Sequence, residues 1–277
     1  MVFGIVLINY GSDWTDSGWG PMNSRSYIVT PNRETADLLY RVLMDNGKNF
    51  PLVPVDFDHK RPSPQLWNWR SLRGNSQASV QEHLKLALNE ICFGRVPMKE
   101  EHKKHLAGKI TFDWRGNWNE NSQCLPEIPH LNLPDHITGS VFSIRDKSCP
   151  TRFWAKSTKY LNEGYVEVSS TRKARFRVTI KGRADGKTVM VFDDAVTLEL
   201  VERSGRNVKY LPVNINETDG RLKVGDSGTA LKAIPFGQLL KGGFICDHHA
   251  GNADASPQYP TWIDEHFDGG DCWELCF

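Results

Sequence analysis

Lys173 to Lys181 reads KARFRVTIK and alternates without a break. Lys173, Arg175, Arg177, Thr179 and Lys181 point one way; Ala174, Phe176, Val178 and Ile180 point the other. A period of two is the period of a strand, with one face wet and one face buried. Downstream, Ala184-Asp185-Gly186-Lys187 reads as a hairpin turn leading into a strand over Thr188–Phe192. Further strands are expected at Ala195–Val201, Val208–Val213, Arg221–Val224 and Thr229–Ile234. Helical periodicity is missing from residues 131–245, and short strands separated by turn residues predict a barrel or a sandwich.

Upstream the pattern changes, so the fold class expected is α+β, with residues 1–130 forming a mixed α/β region of unknown role. Val2–Asn9 is apolar and β-branched and suits a buried strand. Arg25–Thr30 is a second strand candidate. Pro31–Asn46 carries Leu38, Leu39, Val42 and Leu43 at helical spacing, with Pro near its start and Gly47 just past its end. Ser79–Ile91 is a second helix, in which Ser79 and Glu82 form a capping box. The Pro- and Trp-rich stretch Pro51–Trp69 between them reads as irregular. The Pro-rich segment Leu125–Pro134 is the expected boundary, which leaves 131–277 as the β domain.

Hydrophobic residues make up 39% of the chain and charged residues 24%, the balance of an ordinary water-soluble protein. No apolar run is long enough to span a bilayer, and MVFGIVLINYG lacks the basic flank of a signal peptide. No membrane association is expected. The six cysteines are scattered without a paired CxxC framework, which suggests reduced thiols and a cytoplasmic location. Net charge is +1, yet residues 151–190 hold ten Lys and Arg against three Asp and Glu. That imbalance describes either a solvated face or a face for an acidic partner such as nucleic acid.

The C-terminal Ile263–Phe277, IDEHFDGGDCWELCF, resembles the nucleophile loop of chymotrypsin-like peptidases, most closely the HtrA type. Asp264 is followed by four residues, then Gly270, Asp271 and Cys272. Other pieces fall in the family's order. Gly139-Ser140-Val141-Phe142 is similar to its opening strand, and Asp193-Asp194-Ala195-Val196 to the strand bearing its catalytic Asp. Leu222-Lys223-Val224-Gly225-Asp226 and Ala233-Ile234-Pro235-Phe236-Gly237 are similar to its linker into a second barrel, and Gly243-Phe244-Ile245 to a later strand. The resemblance covers residues 138–277 and implies a trypsin-like double β-barrel.

It also implies a degenerate triad of Lys156, Asp194 and Cys272, in which Lys156 stands where the family has its His. A thiol can serve as nucleophile with little help, whereas a Lys is a poor base unless burial depresses its pKa. Trp273 and Glu274 stand where the family keeps small residues around its oxyanion hole. The chain stops short of the family's last strands, and Val2–Ile8 is similar to the strand that follows the nucleophile loop, so the N-terminus is a candidate to complete the barrel. The function expected is a pseudoprotease used to bind a protein or peptide, with no cofactor and no metal. The alternatives are an active endopeptidase using Cys272, and a nucleic-acid-binding or viral assembly protein.

Four further features bear on these alternatives. Gly225-Asp226-Ser227-Gly228 is a literal GDSG, but Ser227 follows Asp194 too closely for a second barrel to be built between them, so it reads as a turn. Cys246, His248, His249, His266, Cys272 and Cys276 form a late Cys/His cluster whose spacings fit no standard zinc site. Lys173, Arg175, Arg177 and Lys181, near Phe153, Trp154 and Tyr165, are the candidate face for phosphates and stacked bases. Nine Trp and thirteen Phe supply either core or the anchors of an assembly.

Overall fold

The computed structural model describes residues 3–9, 25–50, 54–57, 61–72, 77–114, 133–158, 164–183, 185–226, 230–246, 258–262 and 272–277. The chain divides into two compact units, Met1–Asp135 and His136–Phe277.

The first unit is built on a five-stranded sheet. Its strands are β1 (Phe3–Asn9), β2 (Arg25–Thr30), β3 (Val55–Phe57), β4 (Leu66–Ser71) and β5 (Thr111–Trp114), in the order β3-β4-β1-β2-β5. Only the β1–β4 pair is parallel. Helices α1 (Arg33–Asn46) and α2 (Gln77–Cys92) pack with it, and α3 (Glu100–Leu106) packs against those two helices. Asn32 starts α1, its side-chain oxygen accepting from the Thr35 amide at 2.8 Å. Gly47 ends it for a steric reason. A Cβ there would lie 2.7 Å from the Val55 carbonyl, and φ is an ordinary −55°. Tyr40 of α1 packs edge-on against Trp67 (5.1 Å) and Phe57 (6.3 Å).

Three expectations for this unit are corrected. Pro51–Trp69 is not irregular, since it contains β3 and the start of β4. Helix α2 begins at Gln77, so Ser79 lies inside it rather than capping it. Val2–Ile8 does not complete the other unit's barrel, because β1 is hydrogen-bonded to β2 on one side and β4 on the other. Helix α3 and strand β5 were not anticipated.

Asp56 in β3 is 6% exposed and faces its cross-strand partner Arg70 (2.7 Å) and Lys48 (3.0 Å). Burial works to raise its pKa, but hydrogen bonds and charge from Lys48 and Arg70 outweigh burial and hold it below the ordinary 3.8. A depressed carboxylate pKa stabilises the fold above the unfolded value and ceases to do so as pH falls through the folded one. Asp56→Asn should therefore cost about 1 kcal/mol at pH 7 and nothing at pH 2. Urea midpoints measured from pH 2 to 7 on both proteins check this.

The second unit is β-rich. Its strands are β6 (Ser140–Asp146), β7 (Phe153–Lys156), β8 (Val166–Ser169), β9 (Phe176–Ile180), β10 (Ala195–Ser204), β11 (Asn207–Ile215) and β12 (Leu222–Val224). They run in the order β12-β11-β10-β9-β6-β7-β8. The ends of that row approach each other through a Tyr165–Lys223 bridge and a 2.6 Å bond from the Val224 amide to the Gly164 carbonyl. The result is a nearly closed seven-stranded barrel. The short β13 (Ile234–Pro235) adds to β10 and leads into helix α4 (Phe236–Leu240). Strands β14 (Phe244–Cys246) and β15 (Pro260–Trp262) pair with each other. Strand β16 (Trp273–Cys276) pairs with residues 143–146 of β6, while residues 140–142 of β6 pair with β9.

Alternation along β9 appears as read from the sequence: Phe176, Val178 and Ile180 are buried, while Arg177 and Thr179 are half-buried. Asp185 holds a local bend, its carboxylate accepting from the Lys187 and Thr188 amides, but no strand over Thr188–Phe192 pairs with β9, so the expected hairpin does not form. Two strand expectations fail. Thr188–Phe192 makes only an Ile137–Val189 bridge, and of the described residues 230–234 only Ile234 enters a strand. The fold is thus α+β with barrel-like sheets.

Candidate functional site

Lys156 closes β7 and pairs there with Val166 of β8. Its ammonium donates to Glu202 Oε1 at 2.7 Å, and both side chains are 39% exposed. Arg172 donates to the Lys156 carbonyl and to Glu167, whose residue is 4% exposed. Asp194 sits in the turn before β10, where its carboxylate accepts from the Val191 amide at 2.8 Å. A strand advances about 3.3 Å per residue, so from residue 194 to residue 202 the chain travels roughly 26 Å. Lys156 therefore meets the Glu202 end of β10, not the Asp194 end.

Cys272 directly precedes β16. Its carbonyl accepts from the Lys147 amide at 2.9 Å, and it bridges to Lys241. The residues after it form a strand rather than a loop around an anion. Trp273 is fully buried, and Glu274 forms an ion pair with Arg145 at 2.5 Å. The rest of the expected nucleophile loop, Asp264–Asp271, lies outside the described residues, as do Ser227, His248, His249 and His266.

The basic face is only partly available. Arg177 grips Glu199 through two nitrogens (2.7 and 2.5 Å) and stacks on the Tyr210 ring at 3.7 Å. Lys173 lies over the Phe153 ring at 5.7 Å. Arg175 and Lys181 are exposed at opposite ends of β9.

Among the described residues, no cluster of three His, Cys, Asp or Glu side chains could hold a metal ion. All the described cysteines are free thiols. Burial pushes the Cys276 thiol up, and Arg145 and Lys173 offset only part of that; burial alone raises Cys92. No helix among the described residues is long and apolar enough to cross a membrane.

Three polar groupings were not anticipated. Arg152 donates to Gln258, Asp146 and the buried Cys246 sulfur. A cleft of about 530 Å³ runs beside Asn214, Asn216, Lys223 and Lys232. In the first unit, the fully buried Arg61 binds Asp37 and Asp135 over the rings of Tyr40 and Trp67. The partners of Arg61 are 24 and 74 residues away, so no local pattern announces the cluster.

No protein-family model matches the chain, and no curated protein matches it.

Proposed function

We propose that residues 136–277 act as a non-catalytic binding module, on a scaffold related to the trypsin-like double barrel whose triad positions Lys156, Asp194 and Cys272 have lost their joint role. The observation that carries this reading is the placement of the lysine. Its ammonium is engaged by Glu202, and Asp194 Oδ2 accepts from the Val191 amide of its own turn. A peptidase needs a base within hydrogen-bond reach of the nucleophile and a carboxylate to orient that base. An ammonium offers three donors and no acceptor, so Lys156 in this pairing takes no proton from a thiol.

The expected result is no cleavage of a broad fluorogenic peptide library above the buffer rate, with the wild type and Cys272→Ala indistinguishable. Turnover by the wild type that disappears in Cys272→Ala would overturn the reading in favour of a cysteine peptidase.

A further inference from the structure

The β10–β11 hairpin outruns its neighbour. The ladder between β10 and β9 ends at the Leu200–Phe176 pair, whereas the ladder between β10 and β11 continues to Ser204–Asn207. One more bond, from the Val201 amide to the Arg175 carbonyl, ties the hairpin to the chain before β9. Beyond it, residues 202–209 form a ribbon two strands wide. Gly205, at φ +59°, is the first central residue of its tight turn, where the left-handed conformation is required.

Register fixes what each face carries. Leu198, Leu200, Leu211 and Val213 point into the barrel and are buried. The opposite face carries the pairs Glu199–Pro212, Val201–Tyr210 and Arg203–Val208. Arg203, Arg206 and Lys209 are all exposed on the ribbon, and Arg175 is exposed at its base. The acids nearby are neutralised: Glu202 by Lys156 and Glu199 by Arg177. Among the described residues, uncommitted cations are left on both faces of the ribbon: Arg203 beside the exposed Val208, Lys209 opposite Glu202 on the other face, and Arg206 in the turn that joins the two strands.

We propose that this ribbon docks into the major groove of double-stranded DNA, with Arg203, Arg206 and Lys209 on phosphates. Charge complementarity identifies the partner as a polyanion, and shape selects the duplex. A B-form major groove about 12 Å wide admits a two-stranded ribbon, while the deep, narrow groove of A-form RNA does not. The proposal rests on the reading of this unit as a binding module and names its partner.

The test is fluorescence anisotropy of the full chain with a labelled 20-base-pair duplex, from 50 to 300 mM salt. The wild type should bind, with affinity falling steeply as salt rises. The triple variant Arg203→Ala, Arg206→Ala, Lys209→Ala should bind about 100-fold more weakly at 100 mM salt. Its salt slope should flatten by about 0.9 for each phosphate no longer neutralised. Lys187→Ala, exposed in the Asp185 bend at the other end of β9, should bind as wild type. Arg203→Lys with Arg206→Lys should retain most binding, since a phosphate accepts either cation. Unchanged melting temperatures confirm that the variants fold.

Any of four results overturns the proposal. These are no duplex binding at 50 mM salt, equal binding by the triple variant, preference for single-stranded DNA, or preference for vesicles of anionic lipid. Peptide turnover with DNA binding intact would sink the non-catalytic reading alone. Absence of both turnover and DNA binding would sink the ribbon proposal alone.

Discussion

Replacing Trp154 with alanine is expected to unfold the second unit at temperatures where the wild type is folded. Trp154 is fully buried in β7 and joins three other elements through its ring. Its centroid lies 6.0 Å from Phe176 of β9, 5.4 Å from Phe244 of β14 and 5.3 Å from Trp273 of β16. Truncating a buried Trp costs about 3–5 kcal/mol in lost transfer energy and cavity. A domain typically has only about 5–15 kcal/mol in hand, so the loss consumes a large part of it. Trp154→Phe should be far milder, at roughly 1–2 kcal/mol. The indole N–H has no hydrogen-bond partner among the described residues, so phenylalanine removes area without breaking a bond. Urea unfolding followed by near-ultraviolet circular dichroism ranks the three proteins. A Trp154→Ala midpoint equal to wild type would show that these four aromatic rings do not form the centre of the core.

The same residues explain why some strands were readable in advance and others were not. On β9 the buried and half-buried positions alternate, so a period of two is written directly into KARFRVTIK. Strand β4 alternates too, with Trp67 and Trp69 almost fully buried on either side of Asn68. Prolines 54, 62 and 64 surround this segment and make it look irregular, yet all three lie outside the strands. Val189, Met190 and Val191 fail in the opposite way. Three consecutive apolar residues suggest a strand, and all three are buried, but their neighbours offer one bridge instead of a ladder. Helix α3, EEHKKHL, buries only Leu106 and so has no apolar stripe to read.

The site was less legible than the fold, because spacing along a chain gives order and not distance. The segments resembling a peptidase occur in that family's sequence, and a nearly closed barrel is present. Whether Lys156 meets Asp194 or Glu202 depends on which end of β10 it faces, and both acids belong to one continuous stretch. The basic face was visible as alternating cations, but its neutralisation was not. Arg177 is cancelled by Glu199 only because β9 and β10 pair in the register that sets those two residues opposite each other. The hairpin cations Arg203, Arg206 and Lys209 escaped attention because they flank a turn, where charged residues are ordinary.

The largest effect in the first unit should come from Arg61→Leu. The Arg61 side chain is fully buried, and its guanidinium reaches Asp37, which is 5% exposed, and Asp135, 2.6 Å away and 19% exposed. Burial by itself would lower the arginine pKa, but the two carboxylates more than reverse that and push it above the usual arginine range. The cation is thus never titrated away in any practical pH range, and mutation is the way to probe it. Removing one partner of a buried pair costs about 3–5 kcal/mol, and because Arg33 also holds Asp37 at 3.2 Å the loss here should fall toward the lower end of that range. Arg61→Lys should recover only part of this, since a single ammonium cannot reproduce a planar fork shared between two acids. The decisive variant is Arg61→Met combined with Asp37→Leu. Replacing an ion pair by apolar groups of similar volume is often close to neutral, so the double variant should be more stable than Arg61→Leu despite carrying one more change. Urea unfolding monitored through the first unit's tryptophan fluorescence gives the comparison. If Arg61→Leu loses less than about 1 kcal/mol, or if the double variant is the weaker protein, the buried pairing of Arg61 with Asp37 is not what makes Arg61 important to the fold.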